Sequence, residues 1–123
     1  MRALIVDDSR FIRSHLRSLL EEQGMECVEA EDGQQALAVI ERAGTYELAL
    51  VDMNMPVMGG LALVEALRRN PQMSDLKILI VTTEAENSFI EAALDAGADE
   101  YLMKPFDEAA LMDKLQMIGV VKG

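Results

Sequence analysis

The chain of 123 residues is poor in cysteine, proline and basic side chains, and it has no long apolar run. Its single cysteine, Cys27, excludes an internal disulfide and any metal site built from several cysteines, and we interpret it as a small buried hydrophobe. With only three prolines, 50% apolar and 27% charged residues, the composition excludes collagen-like and disordered chains. The length and composition therefore predict a single folded domain spanning residues 1–123.

Charge and hydropathy exclude two further classes of protein. Lysine and arginine number 11 against 22 acidic residues, which gives a net charge of −11. Because this charge repels a phosphate backbone, we expect no direct binding to nucleic acid. The apolar runs are far shorter than the roughly 18 residues of a membrane helix, and Asp7 and Asp8 interrupt the first run before a signal-peptide core can form. We therefore expect a cytoplasmic protein that does not insert into membranes.

Five short apolar runs alternate with longer segments of helical period. Because a single helix separates each pair of runs, the pattern predicts βαβ crossovers, and thus an α/β fold of three layers with helices on both faces of a parallel sheet. Acidic residues flank or interrupt the second and fifth runs, which indicates that these two strands lie at the edges. The predicted strands are Ala3 to Val6, Cys27 to Ala30, Leu48 to Val51, Ile78 to Val81 and Tyr101 to Met103.

The first helical segment has an apolar face and an opposite face lined by arginines. We interpret the arginines as a solvated face, or as a surface that meets an acidic partner protein. His15 lies near the margin of the apolar face, which favours a partly buried and hydrogen-bonded side chain. The arginines of this face are Arg10, Arg13 and Arg17.

Polar residues follow four of the predicted strands. Parallel strands end at the same edge of a sheet, so the residues that follow them converge in space. The sequence therefore predicts a site of three carboxylates, a hydroxyl and an ammonium at that edge. These residues are Asp7 and Asp8, Asp52, Thr82 with Thr83, and Lys104.

The predicted carboxylate cluster needs a compensating charge. Two like charges about 4 Å apart cost about 4 kcal/mol at an effective dielectric constant of about 20. A raised pKa would offset this repulsion, but hard oxygen ligands without cysteine or histidine favour a divalent cation, Mg²⁺ or Mn²⁺. Taken alone, Asp8 or Ser9 is also typical of a helix cap. A carboxylate beside a cation, a lysine and a hydroxyl is suited to accept a phosphoryl group and form an aspartyl phosphate.

Four strings of residues at these positions resemble the response-regulator receiver domain of two-component signalling. The resemblance spans the whole chain and is greatest to the stand-alone chemotaxis-type receivers. It implies a flavodoxin-like (βα)5 fold, strand order 2-1-3-4-5 and a cis bond between Lys104 and Pro105. The strings are Val6-Asp7-Asp8-Ser9, Leu50 to Gly60, Val81-Thr82 and Lys104-Pro105-Phe106.

The resemblance also implies a role for each site residue. Asp52 matches the phosphoacceptor, and Asp7, Asp8 and the backbone carbonyl of Asn54 match the groups that hold Mg²⁺ with it. Thr82 matches the switch hydroxyl, Lys104 the lysine that bonds the phosphoryl group, and Tyr101 the aromatic that turns inward when the threonine moves. Asn54 and Glu84 match positions that control the hydrolytic water. Thr83 departs from the usual alanine, and its bulk affects how water or a donor enters.

The implied function is a phosphorelay signalling module, a phosphoacceptor regulator that is not an enzyme. It would accept a phosphoryl group from a sensor histidine kinase, a histidine phosphotransfer protein or a small acyl phosphate. The helix 87–96, the fifth strand and the helix 108–118 would then change to control a partner protein, with the chain a monomer or a phosphorylation-dependent homodimer. The alternatives are an unphosphorylated docking domain, a fragment of a longer regulator, and an aspartyl-phosphate phosphohydrolase, although Asn54 stands where such enzymes have a second acid.

Overall fold

The computed structural model describes residues 1–83 and 87–122 of the chain. These residues form a parallel sheet of order β2-β1-β3-β4-β5, five α-helices and a short 3-10 helix at Pro71–Met73. The strands are β1 (Arg2–Val6), β2 (Glu26–Ala30), β3 (Leu48–Val51), β4 (Lys77–Thr82) and β5 (Glu100–Met103). The helices are α1 (Arg10–Glu22), α2 (Gly33–Ala43), α3 (Gly60–Arg69), α4 (Asn87–Ala96) and α5 (Glu108–Met117).

The strand predictions are confirmed, and the structure lengthens four of the five strands by one or two residues. Every residue of β3 is buried, as expected for a strand that helices cover on both faces. The edge strands β2 and β5 are partly exposed, which confirms the reading of their acidic residues. The helix predicted over 87–96 is confirmed, and the helix predicted over 108–118 ends at Met117.

Alternate strand residues face two separate apolar cores. Leu4 and Val6 pack on the side of α2, α3 and α4, whereas Ile5 packs on the side of α1 and α5. The period of two in a strand produces this division. Each fully buried aliphatic side chain contributes about 1.5 to 3 kcal/mol, so the two cores hold the strand ends in register. Cys27 lies in the second core as predicted, where burial raises the pKa of its thiol.

The first helix begins with a serine cap. The Ser9 side chain accepts from the N–H of Ile12 over 3.3 Å. Of the two predicted cap residues, Ser9 is therefore the one that caps α1. Asp8 is exposed and belongs to the carboxylate cluster at the strand ends.

Two interpretations of α1 were wrong. Arg13 is buried instead of solvated, and its Nε donates to Glu29 Oε1 over 2.9 Å. His15 is exposed instead of partly buried, and it stacks between the rings of Phe11 and Phe106 at centroid distances of 6.5 and 5.7 Å. Helical period identifies the face on which a side chain starts, but a long side chain reaches beyond that face to partners on other elements.

None of the helices within residues 1–83 and 87–122 combines the length and the apolarity of a membrane-spanning segment.

Candidate functional site

The sheet continues one residue beyond three strands and thereby fixes the backbone of the site. The N–H of Asp7 donates to Ala30 O over 3.1 Å, and the N–H of Asp52 donates to Val6 O over 2.9 Å. The N–H of Lys104 donates to Thr82 O over 2.8 Å. These bonds bring residues from opposite ends of the chain to one edge of the sheet.

The predicted acidic cluster is present at that edge. Oxygen atoms of Asp7, Asp8 and Asp52 all lie within 4.8 Å of one another. Asp7 is 1% exposed and Asp52 is 5% exposed, whereas Asp8 is exposed. The cluster therefore has a buried floor and reaches solvent on the side of Asp8. Its donors are all carboxylate oxygens, which fit Mg²⁺ or Mn²⁺.

Lys104 supplies the positive charge of the site. Its Nζ lies 2.8 Å from Asp7 Oδ2 and 3.6 Å from Asp52 Oδ1. The other carboxylate oxygen of Asp7 accepts from the N–H of Ser9 over 2.9 Å. Lys104 directly follows β5, and the next peptide bond, Lys104–Pro105, is cis, as the resemblance implied. The ammonium thus offsets part of the repulsion between the two buried carboxylates.

Burial and the remaining repulsion raise the proton affinity of Asp52. Burial, followed by the charge of Asp7, raises its pKa from 3.8 to about 6. The ammonium of Lys104 and the N–H of Asn54, 3.4 Å from Asp52 Oδ1, act in the opposite direction. A cation at the site would favour the ionised carboxylate and lower this pKa. The two remedies considered from the sequence, a raised pKa and a cation, therefore act on the same group.

The loop from Asp52 to α3 is held close to the site. Gly60 donates its N–H to Met53 O over 3.1 Å, and a Cβ on Gly60 would overlap the carbonyl oxygen of Asp52. Val57 adopts a φ of 70°, and the N–H of Met58 donates across it to Pro56 O over 2.8 Å. This backbone is rare for a β-branched residue. The loop therefore combines one position that only glycine fits with one strained position.

The loop methionines fill space beside the site. All three are partly buried and pack against the core of α2, α3 and α4. A Cβ on Gly33 would collide with the side chain of Met58, so the absence of that carbon makes room for the thioether. The three residues are Met53, Met55 and Met58.

The predicted switch residues lie on one face of neighbouring strands. Thr82 is fully buried at the end of β4, and Tyr101 is partly buried in β5. Tyr101 pairs with Ile80, so its side chain and that of Thr82 point to the face of α4. The ammonium of Lys114 lies 4.6 Å from the centroid of the Tyr101 ring. Thr83 is exposed, and Glu84 lies outside the described residues.

One residue of this region, Arg13, was not predicted from the sequence to belong to the site. Arg13 donates from Nη1 to the backbone carbonyl of Asp7 over 2.7 Å, which joins α1 to the site. Its second partner is Glu29, one of the acidic residues that mark β2 as an edge strand. Burial by itself would raise the pKa of Glu29, but the bonds from Arg17 and Arg13 lower it overall. An acid on an edge strand next to a helix with arginines is the sequence signal from which this pairing could have been predicted.

The comparisons with known proteins agree with this geometry. Residues 3–116 match the response regulator receiver domain family. The chain is 36% identical to chemotaxis protein CheY of Pseudomonas aeruginosa, over 96% of this chain and 95% of that protein. It is 34% identical to chemotaxis protein CheY1 of Helicobacter pylori, over 96% of both chains.

A solved structure extends the likeness to three dimensions. Vibrio cholerae chemotaxis protein CheY4 is 35% identical in sequence and superposes on this chain with a TM-score of 0.88. The match covers 95% of this chain and 97% of that chain. The family comprises phosphoacceptor regulators rather than classical enzymes, and a histidine kinase is the partner that a receiver implies. The chain, with its cluster of Asp7, Asp8 and Asp52, therefore belongs to the response regulator receiver domain family and is CheY-like.

Proposed function

We propose that Asp52 is the phosphoacceptor of a two-component phosphorelay. The observation that carries this proposal is the buried carboxylate of Asp52 with Lys104 Nζ 3.6 Å from its Oδ1. Asp7 is more deeply buried, and both of its carboxylate oxygens already accept hydrogen bonds, from Ser9 and from Lys104. Asp8 is exposed. Asp52 is therefore the buried acid whose described contacts, from Lys104 and from the N–H of Asn54, fall on one carboxylate oxygen only.

In the proposed transfer, a carboxylate oxygen of Asp52 attacks the phosphorus of the donor. A new O–P bond forms, and the N–P bond of a phosphohistidine, or the O–P bond of a small acyl phosphate, breaks with its electron pair leaving on the donor. Lys104 stabilises the negative oxygens of the transferred group, and Thr82 donates a hydroxyl hydrogen to one of them. Asn54 and Glu84 are proposed to control how water later hydrolyses the product.

Mg²⁺, or Mn²⁺, is the proposed cofactor. Asp7, Asp8, Asp52 and the backbone carbonyl of Asn54 would hold it. When bound, the cation supplies positive charge to the phosphoryl oxygens. The fit is supported by the donor set, which consists of carboxylate oxygens within 4.8 Å of one another. Because Asp8 is exposed, the cluster is open to solvent on that side, which gives the cation a route to the site.

A phosphohistidine-bearing protein is the proposed donor, either a sensor histidine kinase or a histidine phosphotransfer protein. Phe11 is 78% exposed on α1 and stacks with His15, which stacks in turn with Phe106. Together with Ile12 and Pro105, these residues line a shallow cavity of about 190 Å³ that Lys104 borders. This apolar surface beside the site supports a protein donor, because covering an exposed phenylalanine with a partner protein contributes favourable binding free energy.

The proposed output is a change on the surface formed by α4, β5 and α5. A phosphoryl group on Asp52 would attract the hydroxyl of Thr82, and Tyr101 would turn into the space that Thr82 vacates. Two states that differ by only a few kcal/mol suffice for such a shift. A downstream protein, or a second copy of this chain, would distinguish them. We further propose that residues 1–123 are a single receiver domain acting in the cytoplasm.

The phosphoacceptor assignment is tested with acetyl phosphate and Mg²⁺. Mass spectrometry of the intact wild-type chain should detect one added phosphoryl group, stable in acid and labile in base, that EDTA prevents. Asp52→Asn should abolish the addition. Asp113→Asn, which changes an exposed acid on α5, is the matched control and should keep it. Full uptake by Asp52→Asn would overturn the assignment.

The proposed switch is tested with a beryllofluoride mimic of the phosphoryl group. Amide chemical shifts measured by NMR with and without the mimic should change at Tyr101 and along α4 and α5. Thr82→Val removes the hydroxyl while it keeps the shape of the side chain, and should confine the changes to the neighbours of Asp52. The same confinement in the wild-type chain would overturn signalling through this surface.

A further inference from the structure

Arg13 links three elements beside the acidic cluster. Its side chain is 9% exposed and projects from the first turns of α1. Nη1 donates to the backbone carbonyl of Asp7 over 2.7 Å, and Nε donates to Glu29 Oε1 over 2.9 Å. A buried guanidinium is stable only where acceptors replace its lost water, so these contacts specify its position. Arg13 thereby ties α1 to the end of β1 and to β2.

The hydrogen bond from Arg13 to the Asp7 carbonyl fixes the backbone orientation at the next residue, Asp8. The carbonyl belongs to the peptide group between Asp7 and Asp8, so a short charge-assisted hydrogen bond fixes the plane of that peptide. Asp7 has further anchors, since its carboxylate accepts from Ser9 and from Lys104. Asp8 is exposed, and its carboxylate is directed by the backbone more than by packing.

On the basis of the proposed function, we propose that Arg13 is a positioning residue for the divalent cation. By holding the Asp7 carbonyl, it keeps the Asp7–Asp8 peptide in the orientation that brings the Asp8 carboxylate within 4.8 Å of the carboxylates of Asp7 and Asp52. Arg13 acts through the backbone and does not touch the cation.

A positioning role and a purely electrostatic role predict opposite changes in Mg²⁺ affinity when Arg13 is replaced. A guanidinium beside a cation site repels the cation, so removal of its charge alone would tighten Mg²⁺ binding. Loss of positioning would weaken Mg²⁺ binding. A merely structural role would lower the stability of the fold and leave the affinity of the folded molecules unchanged. The direction of the change in affinity therefore distinguishes the three roles.

Arg17 provides a matched control on the same helix. Its Nε donates to Glu29 Oε2 over 2.6 Å, so it shares the carboxylate partner of Arg13. Its Nη1 donates to Glu21 Oε2 over 3.3 Å, and among the described residues the bond to the Asp7 carbonyl comes from Arg13. Arg17→Gln therefore removes a charge and an ion pair from the same network and leaves the Asp7 carbonyl bond in place.

The experiment is an NMR titration of the isotope-labelled wild type, Arg13→Gln, Arg13→Lys and Arg17→Gln with Mg²⁺ alone. Native amide signals come only from folded molecules, so a loss of stability is not counted as a loss of affinity. We expect Arg13→Gln to raise the Kd for Mg²⁺ about tenfold, as loss of an outer support of a metal ligand does, and Arg17→Gln to stay within about twofold of the wild type. Arg13→Lys should raise the Kd about threefold, because one ammonium cannot hold both acceptors of the guanidinium fork.

If Arg13→Gln does not fold, Arg13→Lys decides the question alone. Binding by the folded Arg13 variants as tight as that of the wild type, or tighter, would overturn the positioning role. An equal loss in Arg17→Gln would overturn it too, since the effect would then belong to the Glu29 network. A wild-type chain that binds no Mg²⁺ would overturn the proposed function itself, and this inference with it.

Discussion

Replacement of Asp52 by asparagine should stabilise the metal-free protein at neutral pH. The ionised carboxylate lies in a buried cluster that raises its pKa from 3.8 to about 6. A tenfold change in proton affinity corresponds to about 1.4 kcal/mol, so the ionised group costs the fold about 3 kcal/mol. Asparagine removes this cost, which already includes the attraction to Lys104, but it buries an amide that loses its own hydration. The net gain in unfolding free energy should therefore be about 2 kcal/mol.

The pH dependence of this gain has a defined sign. Because the pKa of Asp52 is higher in the folded protein, the folded state binds the proton more tightly than the unfolded state. The associated stability is present below pH 3.8 and is lost as the pH rises through about 6. The advantage of Asp52→Asn over the wild type should thus be full at about pH 7.5 and small at about pH 4.

Urea unfolding followed by far-UV circular dichroism in EDTA measures this difference, with Asp113→Asn as the control for loss of one exposed negative charge. Mg²⁺ should then stabilise the wild type more than it stabilises Asp52→Asn, because a cation stabilises only the fold that binds it. An Asp52→Asn variant no more stable than Asp113→Asn at neutral pH in EDTA would refute the reasoning.

Three further variants and one control variant, Gly59→Ala, test the loop and the lysine by urea unfolding. Val57→Asn should raise the unfolding free energy by about 1 kcal/mol, since asparagine tolerates the positive φ of 70° at this position, and an unchanged value would contradict the strain. Gly60→Ala should lower the unfolding free energy by about 1 to 3 kcal/mol because its Cβ would overlap backbone atoms, whereas Gly59→Ala, with its Cβ 3.2 Å from the nearest backbone atom, should lose less. Lys104→Ala should cost about 3 kcal/mol in EDTA, because it leaves the Asp7 carboxylate buried without its ammonium, and Mg²⁺ should restore part of that loss. Equal losses with and without Mg²⁺ would contradict the last prediction.

The sequence by itself was sufficient for the architecture and for the composition of the site. Short apolar runs alternate with segments of helical period, so the strands and helices could be located. The strand that is buried along its whole length, β3, is a run of four apolar residues. Parallel strands end at one edge, so Asp7, Asp52 and Lys104 could be expected together although 97 positions separate the first from the last.

The tertiary structure decided which partner each polar group has and how strongly it is perturbed. Arg13 is buried because Glu29 of β2 and the carbonyl of Asp7 both lie within its reach, a coincidence of three elements that no local period contains. Likewise, the pKa of Asp52 depends on burial and on the distances to Asp7 and Lys104. Helical and strand periods act over a few residues, whereas desolvation and charge interactions depend on distances in space, and only the packed fold determines those distances.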